Sequence, residues 1–150
     1  MAGRYEVRCP EEGVDMNDAE RLVDTIKTLA DPMQPHVTDF FAKAKHAGYG
    51  RLEITEAYRS LTRQAELYGH GRTGLQLRLK NINPTFARPK LPKVTWVTPK
   101  NAKHCQRLAI DINITAYPKA HWGIIGHIAE VCGLTWGGRW KARDYCHLEM

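Results

Sequence analysis

Apolar and polar residues alternate most regularly in the stretch "RLAIDINI", residues 107–114. Every second position carries an apolar side chain, and these residues would share one face of a strand: Leu108, Ile110, Ile112 and Ile114. A period of two is typical of a half-buried β-strand. Asp111 then lies on the opposite face, in the middle of the strand. We therefore treat Asp111 as a candidate functional residue.

Apolar residues spaced by three and four positions predict helices in the first half of the chain. The first helix runs from about Asn17, a good N-cap, to about Leu29. The second ends near Gly48, and its inward residues are Val37, Phe40, Phe41 and Ala44. Ser60 caps a third, short helix in "LTRQAELYGHG". A long loop follows this third helix.

The second half of the chain combines one helix with short strands. The helix runs from Pro118 to Gly133, and its core stripe consists of Trp122, Ile125, Ile128, Ala129 and Cys132. The remaining strand-like stretches of the chain are "RLEITEAY" (51–58), "KVTWVT" (93–98), "LTWGGRW" (134–140), which includes a Gly-Gly turn, and "DYCHLEM" (144–150). This pattern predicts an α+β fold over 1–150, a single domain with a small antiparallel sheet flanked by helices.

The net charge of +6 favours an anionic partner. Nucleic acid and an anionic cell envelope are both candidates. Basic residues concentrate between Arg72 and Lys93, in a proline-rich stretch that is typical of a solvated loop. No helix-turn-helix or zinc-finger spacing accompanies it, so we do not expect nucleic acid as the partner.

The cysteines and the apolar runs indicate the cellular compartment in which the chain folds. No apolar run approaches the ~20 residues that span a bilayer, and the N-terminal stretch lacks the apolar centre of a secretory signal. We expect synthesis in a cytoplasm, with another protein giving access to any external target. Four scattered cysteines without a CxxC pair predict free thiols, with Cys132 in the core.

Two histidines and a carboxylate resemble a metal set: His104, which we expect to open the strand that carries Asp111, then Asp111 itself, and His147 in the last strand. A catalytic zinc uses three such ligands and keeps a fourth position for water. Asp144 lies just before the last strand, three residues from His147, so regular strand geometry points it away from the ion. It could instead accept a proton from the water. Taken singly, each residue fits an ordinary structural position equally well, and the spacing alone does not decide.

Three motifs resemble the zinc peptidases of the D-Ala-D-Ala carboxypeptidase and L-alanyl-D-glutamate endopeptidase family. The first two are "HCQRLAID" and "WGGRWKARDYCHLEM", in which family positions fall on His104, Ala109, Asp111, Gly137, Gly138, Trp140, Asp144, His147 and Glu149. The third is "EAYRSLTRQAELYGHGRT", where the resemblance implies that Arg59 orients the substrate or its oxyanion and that Gln64 lines the cleft. Three family positions differ: the serine is Ala102, the glycine is Arg107 and an acidic residue is Arg139.

The resemblance implies a hedgehog/DD-peptidase fold with a catalytic core over 33–150 and an N-terminal extension, 1–30, of unknown role. It also implies one Zn²⁺ per chain, held by His104, Asp111 and His147, with Asp144 as general base. The expected function is cleavage of peptidoglycan stem peptides at the L-alanyl-D-glutamate bond by a monomeric phage endolysin that reaches the wall through a holin-type pore. Two alternatives stay open: a D-Ala-D-Ala carboxypeptidase of the same fold, and a non-catalytic, zinc-stabilised module that binds the wall.

Overall fold

A computed structural model of the chain describes residues 18–150. The helices in this range are α1 (Asp18–Lys27), α2 (Gln34–His46), α3 (Leu61–Gly69), α4 (Gly74–Arg78) and α5 (Lys119–Val131). The strands are β1 (Ile54–Glu56), β2 (Ala109–Ile112), β3 (Thr135–Trp136) and β4 (His147–Glu149). Short 3-10 turns connect several of them. The predicted α+β class is confirmed.

The four strands form one antiparallel sheet in the order β1-β2-β4-β3. In the central β2–β4 pair, Asp111 lies directly opposite His147, and Ala109 lies opposite Glu149. Side chains directly opposite each other in an antiparallel pair share a face of the sheet and lie close together. The register therefore brings Asp111 and His147 together, although 36 positions separate them in the chain.

One compact unit consists of residues 18–58 together with Arg107–Met150. Its core combines residues of α2, α5 and the sheet, and the fully buried residues include Val37, Phe40, Ile110, Ile112, Ile125, Ala129 and Leu148. The predicted inward residues of α2 are all buried. On α5, Ile125 and Ala129 are buried, as is Cys132 just after it, and Trp122 and Ile128 pack at the edge of the core.

The second compact unit is Arg59–Gln106. The Ser60 side chain accepts a hydrogen bond from the Arg63 N–H, so the predicted N-cap of α3 is confirmed. The unit has its own small core, in which the buried residues are Ala65, Tyr68, Leu77 and Ile82. Helix α4 begins with a capping box, in which the side chains of Thr73 and Gln76 each bond the other residue's backbone N–H.

Four sequence-based expectations need correction or lie outside the described range. The strand predicted at 93–98 is wrong, because backbone carbonyls of this segment accept hydrogen bonds from the side chains of Arg72 and Gln64 instead of from a neighbouring strand. The loop predicted after α3 contains α4. The β2 strand stops at Ile112, since Asn113 bonds residues 51 and 53 through its side chain. The predicted N-cap Asn17 lies outside the described residues.

The length and hydropathy of the helices show whether any of them could cross a membrane. Between residues 18 and 150, no helix is long and apolar enough to cross a membrane. The prediction that the entire chain forms one peptidase domain with an N-terminal extension stays a prediction.

Candidate active site

The centre of the candidate site is a largely buried contact between β2 and β4. The His147 side chain, only 7% exposed as a residue, places Nδ1 3.0 Å from Oδ1 of Asp111. Its other ring nitrogen, Nε2, lies 3.0 Å from Oε2 of Glu149. Glu149 is two residues along the same strand, so its side chain leaves the same face as His147. Both edges of the imidazole ring therefore meet carboxylates.

The electrostatics of His147 follow from this arrangement. Burial lowers the pKa of His147, but hydrogen bonds to Asp111 and then to Glu149 outweigh it and raise the pKa to about 9. The charge of Asp144 acts in the same direction. In the metal-free protein His147 is therefore an imidazolium between carboxylates at neutral pH. A divalent cation placed here would take over the role of that proton.

His104 lies in a turn over residues 103–107, and the expectation that it opens the β2 strand is wrong. The N–H groups of Cys105 and Gln106 donate back to the carbonyl of Ala102, which folds this segment into a turn. Arg107 ends the turn with a φ of +60°. The His104 residue is 5% exposed, and its backbone carbonyl accepts a hydrogen bond from the Arg59 N–H at 3.3 Å.

Candidate ligand atoms of His104, Asp111 and His147 all lie within 4.8 Å of one another. Two imidazoles and one carboxylate form a donor set that suits zinc and leaves a position for water. Glu149 on Nε2 of His147 is the kind of second hydrogen bond that orients a metal-bound histidine. Within residues 18–150, this is the one group of three or more histidine, cysteine or acidic residues so arranged. The residues present thus fit a Zn²⁺ ion.

No disulfide joins the three cysteines in the described part of the chain, Cys105, Cys132 and Cys146. None of them belongs to the group of candidate ligands. The Cys105 thiol lies 3.7 Å from the carbonyl oxygen of Ser60. Cys9 lies outside the described residues.

Asp144 lies just before β4, as expected for a residue beside the site. Its N–H donates to the carbonyl of Gly137 at 3.0 Å, and its own carbonyl accepts from the His147 N–H at 3.3 Å. A Cβ added at Gly137 would stand 2.4 Å from the Asp144 carbonyl oxygen and 3.2 Å from Cβ of His147. Gly137 therefore lets the backbone carry Asp144 close to His147.

Arg59 and Gln64 form a linked pair at the start of α3. Arg59 donates from Nη1 to Oε1 of Gln64 at 2.7 Å. Gln64 is 1% exposed, and its Nε2 donates to the carbonyl of Val97 at 2.8 Å. The role of Gln64 in substrate binding stays a prediction. Its contacts are those of a buried residue that positions Arg59.

The three departures from the family pattern have distinct surroundings. Arg107, at the glycine position, keeps the positive φ that glycine adopts easily, and its guanidinium stacks 4.8 Å from the centre of the Tyr58 ring. Ala102 is buried. Arg139 pairs with Glu130 through two hydrogen bonds of 2.9 and 3.1 Å.

Two neighbours of the site were not assigned roles from the sequence. Glu149 was matched to the family, but its contact with His147 required the strand register to be known. The ring of Trp140 lies 5.1 Å from that of His147, centre to centre. The contact between Glu149 and His147 could have been inferred from one signal in the sequence, their spacing of two residues in "CHLEM".

Comparisons with known proteins agree with this geometry. Residues 96–150 match the D-alanyl-D-alanine carboxypeptidase family. This part of the chain contains all three candidate ligands and Asp144. The chain is also 33% identical over 113 residues to the peptidoglycan L-alanyl-D-glutamate endopeptidase CwlK of Bacillus subtilis (strain 168). The alignment covers 65% of this chain and 59% of that relative's length.

Solved structures share the fold. The L-Ala D-Glu endopeptidase ChiX of Serratia marcescens superposes with a TM-score of 0.55 at 17% identity, over 91% of this chain and 95% of ChiX. The vancomycin-resistance D,D-pentapeptidase VanY, solved in complex with Zn(II), gives a TM-score of 0.54 at 18% identity, over 81% of this chain and 71% of VanY. The resemblance to this family and the predicted DD-peptidase-like fold are confirmed.

Proposed function

We propose that this chain is a zinc-dependent peptidase that cleaves the stem peptide of bacterial peptidoglycan at the L-alanyl-D-glutamate bond. The observation that carries the proposal is the group of His104, Asp111 and His147, in which both histidines are buried and the candidate ligand atoms lie within 4.8 Å of one another. Asp144 beside that group supplies a further carboxylate suited to proton transfer. The match to the endopeptidase CwlK supports the choice of bond.

A bound zinc ion would polarise the scissile carbonyl and make water a stronger nucleophile near neutral pH. His104, Asp111 and His147 would hold one such ion per chain. Glu149 would keep the His147 ring in the orientation that presents Nδ1 toward Asp111.

Asp144 would act as general base. Its carboxylate accepts a proton from the attacking water and then passes it to the leaving amine. The backbone contacts of Asp144 with Gly137 and His147 fix the position of this residue before β4.

Arg59 would stabilise the negative charge that develops on the carbonyl oxygen of the substrate. Its hydrogen bond to buried Gln64 restricts the guanidinium to one orientation before substrate arrives. A preorganised donor of this kind does not have to be reoriented during the reaction.

We also propose a biological setting. The chain would act as a monomeric phage endolysin, made in the host cytoplasm and released to the wall through a holin-type pore. Its net charge of +6 would favour approach to an anionic envelope.

Digestion of purified peptidoglycan tests the proposal. The protein is incubated with peptidoglycan after chelation and after zinc is restored, and the released fragments are identified by mass spectrometry. We expect zinc-dependent fragments with new D-glutamate amino termini. Free D-alanine would instead support the carboxypeptidase alternative, which the family matched by residues 96–150 keeps open. Binding to the wall without any cleavage by the zinc-loaded protein would support a non-catalytic module.

A further inference from the structure

A groove of about 560 Å³ lies beside β3 and the start of α5, and its function is unassigned. Its aromatic lining comprises Trp122, Trp136, Trp140 and Tyr145. Four cationic side chains also line it: Lys119, Arg139, Lys141 and Arg143. The volume lies within the range of about 300–1,000 Å³ that is usual for small-molecule sites.

The groove carries uncompensated positive charge. Arg139 is neutralised by its paired hydrogen bonds to Glu130. Lys119, Lys141 and Arg143 form no ion pair with a carboxylate in the described part of the chain. Arg143 donates instead to the Tyr145 hydroxyl at 3.2 Å. Charge complementarity therefore selects an anionic ligand.

The floor of the groove is rigid. Trp136 is 4% exposed, and its indole N–H donates to the carbonyl of Tyr145 at 2.9 Å. Glycines lie where a Cβ would overlap its ring, at 2.1 Å for Gly126 and 2.3 Å for Gly138. These glycines allow the indole to pack directly against the backbone. The floor is preformed, so binding orders few side chains.

Trp140 connects the groove to the candidate active site. It lines the groove, remains 37% exposed, and its ring also lies 5.1 Å from the His147 ring. A ligand in the groove would therefore lie next to the proposed zinc site. An extended substrate could occupy both at once.

We propose that this groove binds the acidic glycopeptide of peptidoglycan, with a sugar ring against the exposed aromatic faces and a peptide carboxylate between Lys119 and Lys141. Aromatic side chains present flat apolar faces, on which the C–H face of a sugar ring can pack. The assignment rests on the proposed function, because it makes the groove part of the substrate site of the same enzyme. It goes beyond that function by naming the residues that recognise the part of the substrate away from the scissile bond.

The four tryptophans allow a direct binding measurement. In a ¹H–¹⁵N spectrum of the full chain without metal, a soluble disaccharide-pentapeptide should shift the indole N–H signals of Trp122 and Trp140. The signal of Trp96, which is exposed and outside the groove, should stay in place. The double variant Lys119→Gln/Lys141→Gln should bind about 5- to 10-fold more weakly, the loss expected for two exposed charge contacts. The variant Lys45→Gln/Lys80→Gln removes the same charge at exposed positions outside the groove and should bind normally.

Several outcomes separate this assignment from its rivals. Equal shifts with a neutral chitooligosaccharide and no effect of the Lys119/Lys141 variant would overturn the role of charge. Tighter binding of poly(glycerol phosphate) than of the glycopeptide would overturn the choice of ligand. A third outcome would support ligand binding in the groove but refute the proposed function. In that outcome the tryptophan signals shift and the Lys119/Lys141 variant binds more weakly, yet the zinc-loaded protein cleaves no bond.

Discussion

The β2–β4 strand pair and the segment 59–106 hold candidate functional side chains in different ways. In the strand pair, a regular backbone ladder sets Asp111 opposite His147. In 59–106, the backbone around Arg59 and residues 95–97 is irregular, and the buried side chain of Gln64 joins the two. The first arrangement depends on register, and the second depends on one side chain.

The two regions should therefore respond differently to amino-acid substitution. A substitution on β2 or β4 leaves the backbone hydrogen bonds between the strands in place. It removes the chemistry of the altered side chain, and it can leave a charged neighbour without its partner. Loss of Gln64 removes the hydrogen bonds that hold Arg59 and the carbonyl of Val97. Variants in the two regions should therefore separate effects on metal and chemistry from effects on stability.

Removing a proposed metal ligand should have the largest effect. His104→Ala, Asp111→Ala and His147→Ala should each abolish zinc binding and activity, because every protein ligand of a three-ligand site is essential. After chelation, His147→Ala should also unfold at a lower temperature than the wild type, since Asp111 and Glu149 lose their buried cationic partner. Metal analysis and thermal unfolding measure both. Cys105→Ser is the control and should keep its zinc; the reverse pattern, with zinc lost there and kept by His104→Ala, would refute the ligand assignment.

Arg59→Ala should lower activity about 10²-fold, the loss typical of removing one donor to a developing oxyanion. Zinc content should not change. Arg63→Ala provides a matched control, because Arg63 lies on the exposed face of α3 and pairs with Glu66. Steady-state kinetics on a soluble muropeptide compare the two. Turnover of Arg59→Ala equal to that of the control would remove Arg59 from the mechanism.

Gln64→Leu distinguishes positioning from direct substrate contact. Because Gln64 is 1% exposed and bonds Arg59 and Val97, its replacement should cost about 1–3 kcal/mol of stability. The exposed Gln106→Leu is the control for a surface glutamine. Chemical denaturation measures the cost. Unchanged stability with a raised KM would favour the original expectation that Gln64 lines the substrate cleft.

Prediction from sequence succeeded where periodicity or a motif carried the information. The faces of α2 and α5 and the strand around Asp111 followed from apolar spacing. It failed where side chains organise irregular backbone. The alternating "KVTWVT" stretch is not a strand, because Gln64 and Arg72 occupy its carbonyls. The turn at His104 could not be predicted, because an arginine at position 107 does not indicate a positive φ as a glycine would.

Substitution of Arg107 should change the free energy of unfolding by the smallest amount. A non-glycine residue in the left-handed region costs about 1 kcal/mol, which Arg107→Gly would relieve while losing the Tyr58 contact, worth about 0.5–1 kcal/mol. The net change in unfolding free energy should therefore lie within about 1 kcal/mol of zero. Arg107→Ala loses the contact without relief and should be the less stable of the two. A glycine variant less stable than the alanine variant would contradict this explanation.

The central claim is that the group of His104, Asp111 and His147 is a catalytic centre with Asp144 as its base. Asp144→Asn keeps the size and hydrogen-bonding capacity of the side chain but removes the basic carboxylate. Zinc stoichiometry, thermal unfolding and muropeptide release are measured on this variant and on the wild type. The account predicts unchanged zinc content and stability with activity at least about 10²-fold lower. Full turnover by Asp144→Asn, or loss of its zinc, would contradict the account.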